Sequence, residues 1–168
     1  MFEKNEFSGG RCSLIHKNGH RWDKGSSLYW MPKLFEETFR DLGENIYDQI
    51  DLKKCPINYR VYFHDGKCIE LSCNIAALKR QLEAFEGENE ETLLNLMKFL
   101  KESHIHYEHS VKLALKTNFQ STWDLIKLKY LPELFKMHLF NSVYSRAKKY
   151  FKTDHMLKAF TFQTMYMG

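Results

Sequence analysis

Two turn dipeptides place the strongest limits on how this chain can fold. Asn18-Gly19 and Asp65-Gly66 each lie between two short runs of strand-forming residues. Such dipeptides readily adopt the left-handed backbone that two-residue hairpin turns require. The sequence therefore predicts two β-hairpins, over Cys12–His16 with His20–Asp23 and over Tyr59–His64 with Lys67–Ser72.

Outside the hairpins, apolar residues recur at helical spacing between residues that typically begin or end helices. Pro32 suits a first turn, Gly43 suits a helix end, and Asn74 can cap a helix start. We predict helices near 32–42, 74–85, 90–116, 141–151 and 154–164. Locally paired strands combined with separate helices indicate an α+β fold, predominantly helical with a small antiparallel sheet.

Composition limits the class and location of the protein. The chain has 168 residues, 43% hydrophobic and 27% charged, which fits a globular domain and excludes a disordered chain. No apolar run approaches the roughly 20 residues that span a bilayer. Residues 1–6 contain no apolar signal core, so we expect a protein that is not secreted, either cytoplasmic or peripheral on a membrane.

Basic residues are concentrated in the last third of the chain. Residues 110–168 contain 10 Lys and Arg against 3 Asp and Glu, a net charge of +7, whereas residues 1–109 carry 15 against 18, or −3. Within the basic part, Trp123–Phe140 interleaves lysines with large apolar side chains. Such a stretch can lie in a membrane interface or pack in a core with its lysines reaching the solvent, and both readings stay open. No nucleic-acid-binding signature is present, so no nucleic acid is expected as a partner.

A histidine-rich segment raises the question of a metal site. At about 100° per residue, His104 and His106 point to nearly opposite sides of a helix. His106 with His109, or His104 with Glu108, supplies two ligands, whereas a zinc site usually takes about three or four. We therefore expect no metal, and ordinary histidines on a helix surface.

A glycine turn near the start carries a resemblance to a known family. Consecutive glycines, as in Ser8-Gly9-Gly10-Arg11, let backbone N–H groups approach a pyrophosphate, although any tight turn can contain them. Together with Glu3, the run Gly19-x-Arg21-Trp22-Asp23-x-Gly25-x-Ser27 and Tyr29-x-Met31-Pro32, this turn resembles the phytoene desaturases, most closely those of fungal type. These are carotenoid oxidoreductases among the amine-oxidase-like FAD flavoproteins. Further similar segments, at 34–43, 58–66, 142–152 and 159–168, extend the resemblance over nearly the whole chain.

The resemblance implies an FAD-dependent enzyme that introduces conjugated double bonds into phytoene in carotenoid biosynthesis. It implies a lipophilic polyene substrate, and it favours association with a membrane surface. It also implies the cofactor-binding residues: Glu3 at the adenosine ribose, Gly9, Gly10 and Arg11 along the diphosphate and ribityl chain, and Asp23, Gly25, Ser26 and Ser27 near the flavin. Ser26 replaces the family's proline, and Trp30 replaces its usual leucine.

The resemblance implies an acid/base pair at Asp124 and Lys127, where lysine replaces the arginine of bacterial relatives. A spacing of three residues puts both on one face of a helix. The pattern Ser121-x-x-Asp124 is also that of a capping box, so the two residues could instead form a surface ion pair at a helix start. Both interpretations stay open.

One family feature is absent from this sequence, the G-x-G-x-x-G fingerprint that precedes the position of Glu3. We therefore expect a fragment that lacks this fingerprint and the C-terminal part, is inactive by itself and binds FAD poorly. Residues 1–30 would be a partial FAD-binding subdomain, and residues 31–168 a substrate-binding helical region with a β-hairpin near 59–72. The alternative is a non-catalytic helical module that binds a membrane, a lipid or a partner protein.

Overall fold

The computed structural model describes residues 2–25, 28–121, 123–124, 130, 132, 137–138 and 140–167. It divides into two compact units, Met1–Lys54 and Cys55–Gly168. Helices and two separate two-stranded antiparallel sheets make up the regular structure, so the predicted α+β class is confirmed. The predicted functional division after residue 30 stays a prediction.

The first unit contains the hairpin predicted around Asn18-Gly19. Strands β1 (Leu14–Lys17) and β2 (His20–Asp23) pair antiparallel, with Leu14 opposite Asp23 and Lys17 opposite His20. Both turn residues have positive φ, 51° for Asn18 and 77° for Gly19, as a two-residue turn requires. Strand β1 begins two residues later than predicted because Gly10–Cys12 forms a turn of 3-10 helix.

Two helices complete the first unit. Helix α1 (Pro32–Asp41) begins with the predicted proline, and Gly43 follows its end with a φ of 80°. The short helix α2 (Ile46–Gln49) was not predicted from the sequence. It is capped by Asn45, whose side chain accepts a hydrogen bond from Tyr47 N. Four residues are too few to show a helical repeat of apolar positions, so this cap was the available sequence signal.

The segment Phe2-Glu3-Lys4 at the start of the chain does not form a strand. The segment has no regular structure. The Glu3 carboxylate instead accepts hydrogen bonds from the backbone and side-chain nitrogens of Asn5, at 3.0 and 2.9 Å. A strand needs a paired neighbour, and local side-chain bonding takes the place of that pairing here.

The second unit begins with the hairpin predicted around Asp65-Gly66. Strands β3 (Tyr59–Tyr62) and β4 (Cys68–Leu71) pair antiparallel, and Ile69 on β4 is fully buried. Helix α3 (Ile75–Glu86) follows directly. Its cap is the predicted Asn74, whose side chain accepts a hydrogen bond from Ala77 N at 3.1 Å.

The long central helix is confirmed. Helix α4 (Glu90–Ser110) starts at Asn89, whose side-chain oxygen accepts a hydrogen bond from Thr92 N at 2.9 Å. A wider π-helical turn, Val111–Leu115, continues it to the predicted end near residue 116.

The last two helices are shorter than the sequence pattern indicates. Helix α5 (Val143–Ala147) ends four residues before the predicted limit of 151, and helix α6 (Asp154–Thr161) passes into a 3-10 turn at Phe162–Met167. The chain leaves the helix because the backbone N–H groups of Lys152 and Thr153 donate to the Glu86 carboxylate at the end of α3. A continued helix would have used those donors internally.

One hydrophobic core joins the elements of the second unit. Phe151 and Phe160 stack with their rings 4.5 Å apart and nearly parallel, and Phe99 meets both edge-on. The buried residues of this core are Ile69, Leu78, Leu82, Leu96, Ala147, Phe151, Met156, Leu157 and Ala159.

Candidate functional site

The glycine turn in the first unit requires its glycines. Gly9 has a φ of 104° and Gly10 a φ of 56°, a region that residues with a Cβ rarely enter. Cys12 N donates to Gly9 O at 2.9 Å and closes the turn. Two successive positions therefore present backbone without side chains.

A second glycine approaches this turn from the other strand of the hairpin. A Cβ added to Gly25 would lie 3.0 Å from the carbonyl oxygen of Arg11, too close for a comfortable contact. Lys24 N donates to Ser13 O at 3.0 Å and extends the strand pairing to this point. The base of the hairpin thus brings together the predicted cofactor residues Gly9, Gly10, Arg11, Asp23 and Gly25.

The other predicted cofactor residues have different positions. Glu3 is exposed, with its carboxylate hydrogen-bonded to Asn5. Ser26 and Ser27 lie outside the described residues. Arg11 is exposed at the turn, so its guanidinium faces solvent.

Asp124 lies at a capped chain turn, as its spacing from Ser121 predicted. Its Oδ2 accepts hydrogen bonds from Gln120 N and Ser121 N, both at 3.1 Å. In return, Ser121 Oγ accepts a hydrogen bond from Trp123 N at 3.3 Å. The reciprocal capping arrangement is confirmed, whereas Lys127, the other member of the implied acid/base pair, lies outside the described residues.

A half-buried ion pair in the second unit was not found from the sequence. Arg146 donates from Nε and Nη2 to the two oxygens of Glu102, each at 2.6 Å, and the Tyr150 hydroxyl donates to the same carboxylate. The Arg146 hydrogen bonds lower the pKa of Glu102 to about 2, against the opposing effect of burial and with further help from Tyr150. Glu102 and Arg146 are 44 residues apart, and no local pattern links them.

Two histidines lie beside this ion pair. His106 Nε2 is 3.8 Å from Glu102 Oε1, and the rings of His106 and His138 are 5.9 Å apart between centroids. Burial lowers the pKa of His106, as do His138 and Arg146, against the effect of the Glu102 charge. The ligand atoms of Glu102, His106 and His138 lie within 4.8 Å of one another. The sequence signal for this group was the spacing of four residues between Glu102 and His106. The ligand pairs considered within the segment 104–109 did not include Glu102.

The basic amphipathic stretch Trp123–Phe140 lies largely outside the described residues, which omit 125–129, 131, 133–136 and 139. Trp123 and Phe140, near its two ends, are both exposed. In the part of the chain that the structure describes, none of the helices combines the length and apolar character needed to cross a bilayer.

Known proteins match the chain over its whole length. It is 55% identical over 168 residues to a phytoene desaturase of Phycomyces blakesleeanus and 45% identical over 169 residues to one of Fusarium fujikuroi. It is 32% identical over 168 residues to a zeta-carotene-forming phytoene desaturase of Myxococcus xanthus. These alignments cover all of this chain but 28%, 29% and 32% of the three relatives. No family model matches the chain.

The chain is therefore similar to part of the proteins named phytoene desaturases. Within that class the sequence matches the fungal phytoene desaturases, as its motifs predicted. It spans less than a third of the length of the Phycomyces, Fusarium and Myxococcus relatives.

Proposed function

We propose that this chain supplies part of an FAD-dependent phytoene desaturase, an oxidoreductase that introduces conjugated double bonds into a lipophilic polyene in carotenoid biosynthesis. The proposal rests on one observation: Gly25 lies against the Gly9-Gly10-Arg11 turn at the base of one hairpin. The matched relatives, named phytoene desaturases, support the choice of substrate.

The residues at the hairpin base fit a dinucleotide. Positions 9 and 10 have no side chain, so a diphosphate can approach the backbone closely, and the exposed Arg11 supplies a positive charge. Asp23, Gly25, Ser26 and Ser27 would line the flavin side, and Glu3 would hold the adenosine ribose. Gly25 has a structural reason to be glycine, since a side chain would collide with the turn itself.

Dehydrogenation of a carbon chain removes a hydride and a proton, and the chemistry that bound FAD supplies is acceptance of the hydride. We assign acceptance of the proton to the Asp124 carboxylate, with Lys127, three residues further along the sequence, as its cationic partner. The hydrogen bonds from Gln120 N and Ser121 N hold the Asp124 carboxylate in a fixed orientation. Fixed orientation is what a proton acceptor needs in order to face one carbon of a long substrate.

The net charge of +7 on residues 110–168, together with the lysine and aromatic pattern of Trp123–Phe140, supports peripheral binding to an anionic membrane from which the substrate is taken. Flotation with liposomes tests this assignment. We expect the chain to float with vesicles containing anionic lipid and to float less with neutral vesicles. Equal recovery in the bottom fraction with both would contradict it.

A hybrid enzyme tests the proposed activity. The corresponding segment of the Phycomyces relative would be replaced by this chain, and phytoene conversion and bound flavin would be measured. We expect a coloured polyene product and flavin absorbance. Arg11→Gln should weaken FAD binding about tenfold, the effect of losing one charge-assisted hydrogen bond, whereas the exposed Arg21→Gln serves as a matched control.

A hybrid that folds and binds flavin but produces no desaturated polyene would contradict the proposed activity. A hybrid that lacks flavin while the chain still binds vesicles would favour the alternative of a membrane-binding module.

The chain by itself should bind FAD poorly, because its sequence contains no G-x-G-x-x-G turn to hold the pyrophosphate. Titration with FAD, followed by flavin fluorescence, is expected to show no saturation at micromolar concentrations. Flavin that co-purifies with the chain in stoichiometric amount would overturn this prediction.

A further inference from the structure

We propose that Glu102, His106 and His138 form a binding site for a divalent transition-metal ion, with zinc as the representative, that fastens the chain around His138 to helix α4. The site lies within the second unit and uses none of the residues assigned to FAD or to proton transfer. Its test is therefore independent of the proposed desaturase activity.

The three side chains come from two separate parts of the chain. Glu102 and His106 are four residues apart on α4, so they share one face of the helix. His138 comes from a different segment and has a φ of 48°, a left-handed backbone that turns the chain at this residue. The turn is closed by a hydrogen bond from Asn141 N to His138 O at 2.8 Å.

The distances suit closure around one ion. The ligand atoms of the three residues lie within 4.8 Å of one another, and Glu102 Oε1 is 3.8 Å from His106 Nε2. Ligands at about 2.1 Å from a tetrahedral zinc lie about 3.4 Å apart, so closure requires small side-chain movements rather than a change of backbone. The two imidazole rings, 5.9 Å apart and tilted by 34°, are already arranged side by side.

Oε1 of Glu102, which is 3.8 Å from His106 Nε2, retains an acceptor position. A carboxylate offers about four lone-pair directions. Among the described residues, Arg146 Nε donates to Oε1, whereas Arg146 Nη2 and the Tyr150 hydroxyl both donate to Oε2. One direction is therefore left on Oε1, the oxygen from which the distance to His106 is measured.

Arg146 and Tyr150 then act as outer partners of the metal ligand. Carboxylates that bind metals are commonly hydrogen-bonded on their other positions, and these bonds fix their orientation. The guanidinium charge is compensated by the same carboxylate through its bidentate contact. All three candidate ligands are half-buried, which leaves a path for an ion to enter from solvent.

The set of two imidazoles and one carboxylate selects the kind of ion. Imidazole nitrogen suits zinc, cobalt, nickel and copper, whereas magnesium and calcium prefer oxygen ligands. Three protein ligands leave one position of a tetrahedral ion for water. We therefore expect Zn²⁺ and Co²⁺ to bind and Mg²⁺ not to bind.

The experiment uses the 168-residue chain, stripped of metal with a chelator. Zn²⁺ would be titrated by calorimetry, and Co²⁺ by its visible absorption, which becomes intense on tetrahedral coordination. The variants His106→Gln and His138→Asn remove one ligand each, and asparagine tolerates the left-handed backbone at position 138. His104→Gln, on the same helix and exposed, is the matched control.

We expect one Zn²⁺ per chain, a rise in the melting temperature with Zn²⁺ but not with Mg²⁺, and the absorption of tetrahedral Co²⁺. Loss of an outer partner weakens metal sites about 10–100-fold, so loss of a ligand should weaken Zn²⁺ binding at least about tenfold. The His104→Gln variant should bind like the parent chain. Circular dichroism confirms that each variant is folded.

The proposal is overturned if the folded parent chain binds no Zn²⁺, or if His106→Gln and His138→Asn bind it as tightly as the parent. It is also overturned if His104→Gln weakens binding as much as they do, because a general effect of histidines on α4 would then explain the result.

Discussion

The two units of the chain differ most in what they bury. Among the described residues, those of Cys55–Gly168 include a core of nine buried residues, whereas the buried ones of Met1–Lys54 are Ile46 and Ser13. The first unit also contains large apolar side chains, but many of them are exposed to solvent, including Leu14, Ile15, Trp22, Trp30 and Leu42. The second unit is thus stabilised by removal of apolar surface from water, and the first by strand pairing, turns and helix caps.

The comparison also shows where the candidate chemistry lies. The proposed cofactor residues belong to the unit with almost no buried side chains, and their arrangement depends on backbone conformation at a few glycines. The ion pair and its two histidines belong to the unit that contains the core. Substitutions should therefore destabilise the two units for different physical reasons.

The largest expected difference comes from the same substitution made once in each unit. Leu82→Ala removes a side chain with no solvent exposure and should lower the free energy of unfolding by about 3 kcal/mol, because it leaves a cavity in the core. Leu42→Ala, at a residue that is 74% exposed, should change it by less than about 0.5 kcal/mol. Urea unfolding followed by circular dichroism measures both, and equal shifts of the midpoint would remove the distinction between the units.

The ion pair between Glu102 and Arg146 gives a second, smaller test of how burial contributes to stability. Glu102→Gln should lower the free energy of unfolding by about 2 kcal/mol, because it leaves the Arg146 charge half-buried without its partner. The value is below that of a fully buried pair, since part of Glu102 still faces water. The matched control is Glu91→Gln, whose pair with Lys152 is exposed and should contribute little. Equal losses in the two variants would contradict the assigned importance of burial.

The stability of the chain should depend on pH through the same ion pair of Glu102 and Arg146. The pKa of Glu102 is about 2 in the folded chain, below its ordinary value of 4.5. A lowered pKa in the folded state contributes stability above pH 4.5, and this contribution is lost as the pH falls from 4.5 towards 2. Thermal unfolding across this range should show a steeper decline for the parent chain than for Glu102→Gln. Parallel curves would show that other carboxylates account for the decline.

The smallest expected effect concerns the hairpin base in the first unit. Gly25→Ala would place a methyl group about 3.0 Å from the Arg11 carbonyl and should weaken the local structure by about 1 kcal/mol. Amide resonances of Leu14–Asp23 should shift towards random-coil positions in NMR spectra. The neighbouring exposed residue provides the control, Lys24→Ala, because its backbone hydrogen bond to Ser13 does not involve the side chain. Unchanged resonances in Gly25→Ala would show that the turn can move aside.

Local chemistry explains which parts of the fold could be predicted from the sequence. Asn18-Gly19 and Asp65-Gly66 predicted both hairpins because turn preferences act within a few residues, although in the second dipeptide only Gly66 has a positive φ, 82°. Asn74 predicted the start of α3 for the same reason. The length of α5 could not be predicted, because it depends on donors at residues 152 and 153 finding the Glu86 carboxylate far away in the sequence.

The candidate sites divide in the same way. The glycine turn and Gly25 could be identified from spacing and resemblance, although their contact with each other became visible in the structure. The group of Glu102, His106 and His138 could not, since it requires knowing that the chain returns to α4 at residue 138. Asp124 shows the intermediate case, in which the local cap was predictable and its role in proton transfer stays a prediction.

The contact of Glu86 with the start of α6 bears on the order in which the second unit folds. Glu86 is separated along the chain from Lys152 by 66 positions and from Thr153 by 67. The hairpin and the α3 cap, in contrast, join residues within a few positions of each other. Local helices and hairpins form within about 0.1–10 μs, but long-range closure must first overcome the entropy of the intervening chain. The C-terminal helix should therefore dock late, on a surface that α3 and β3–β4 have already assembled.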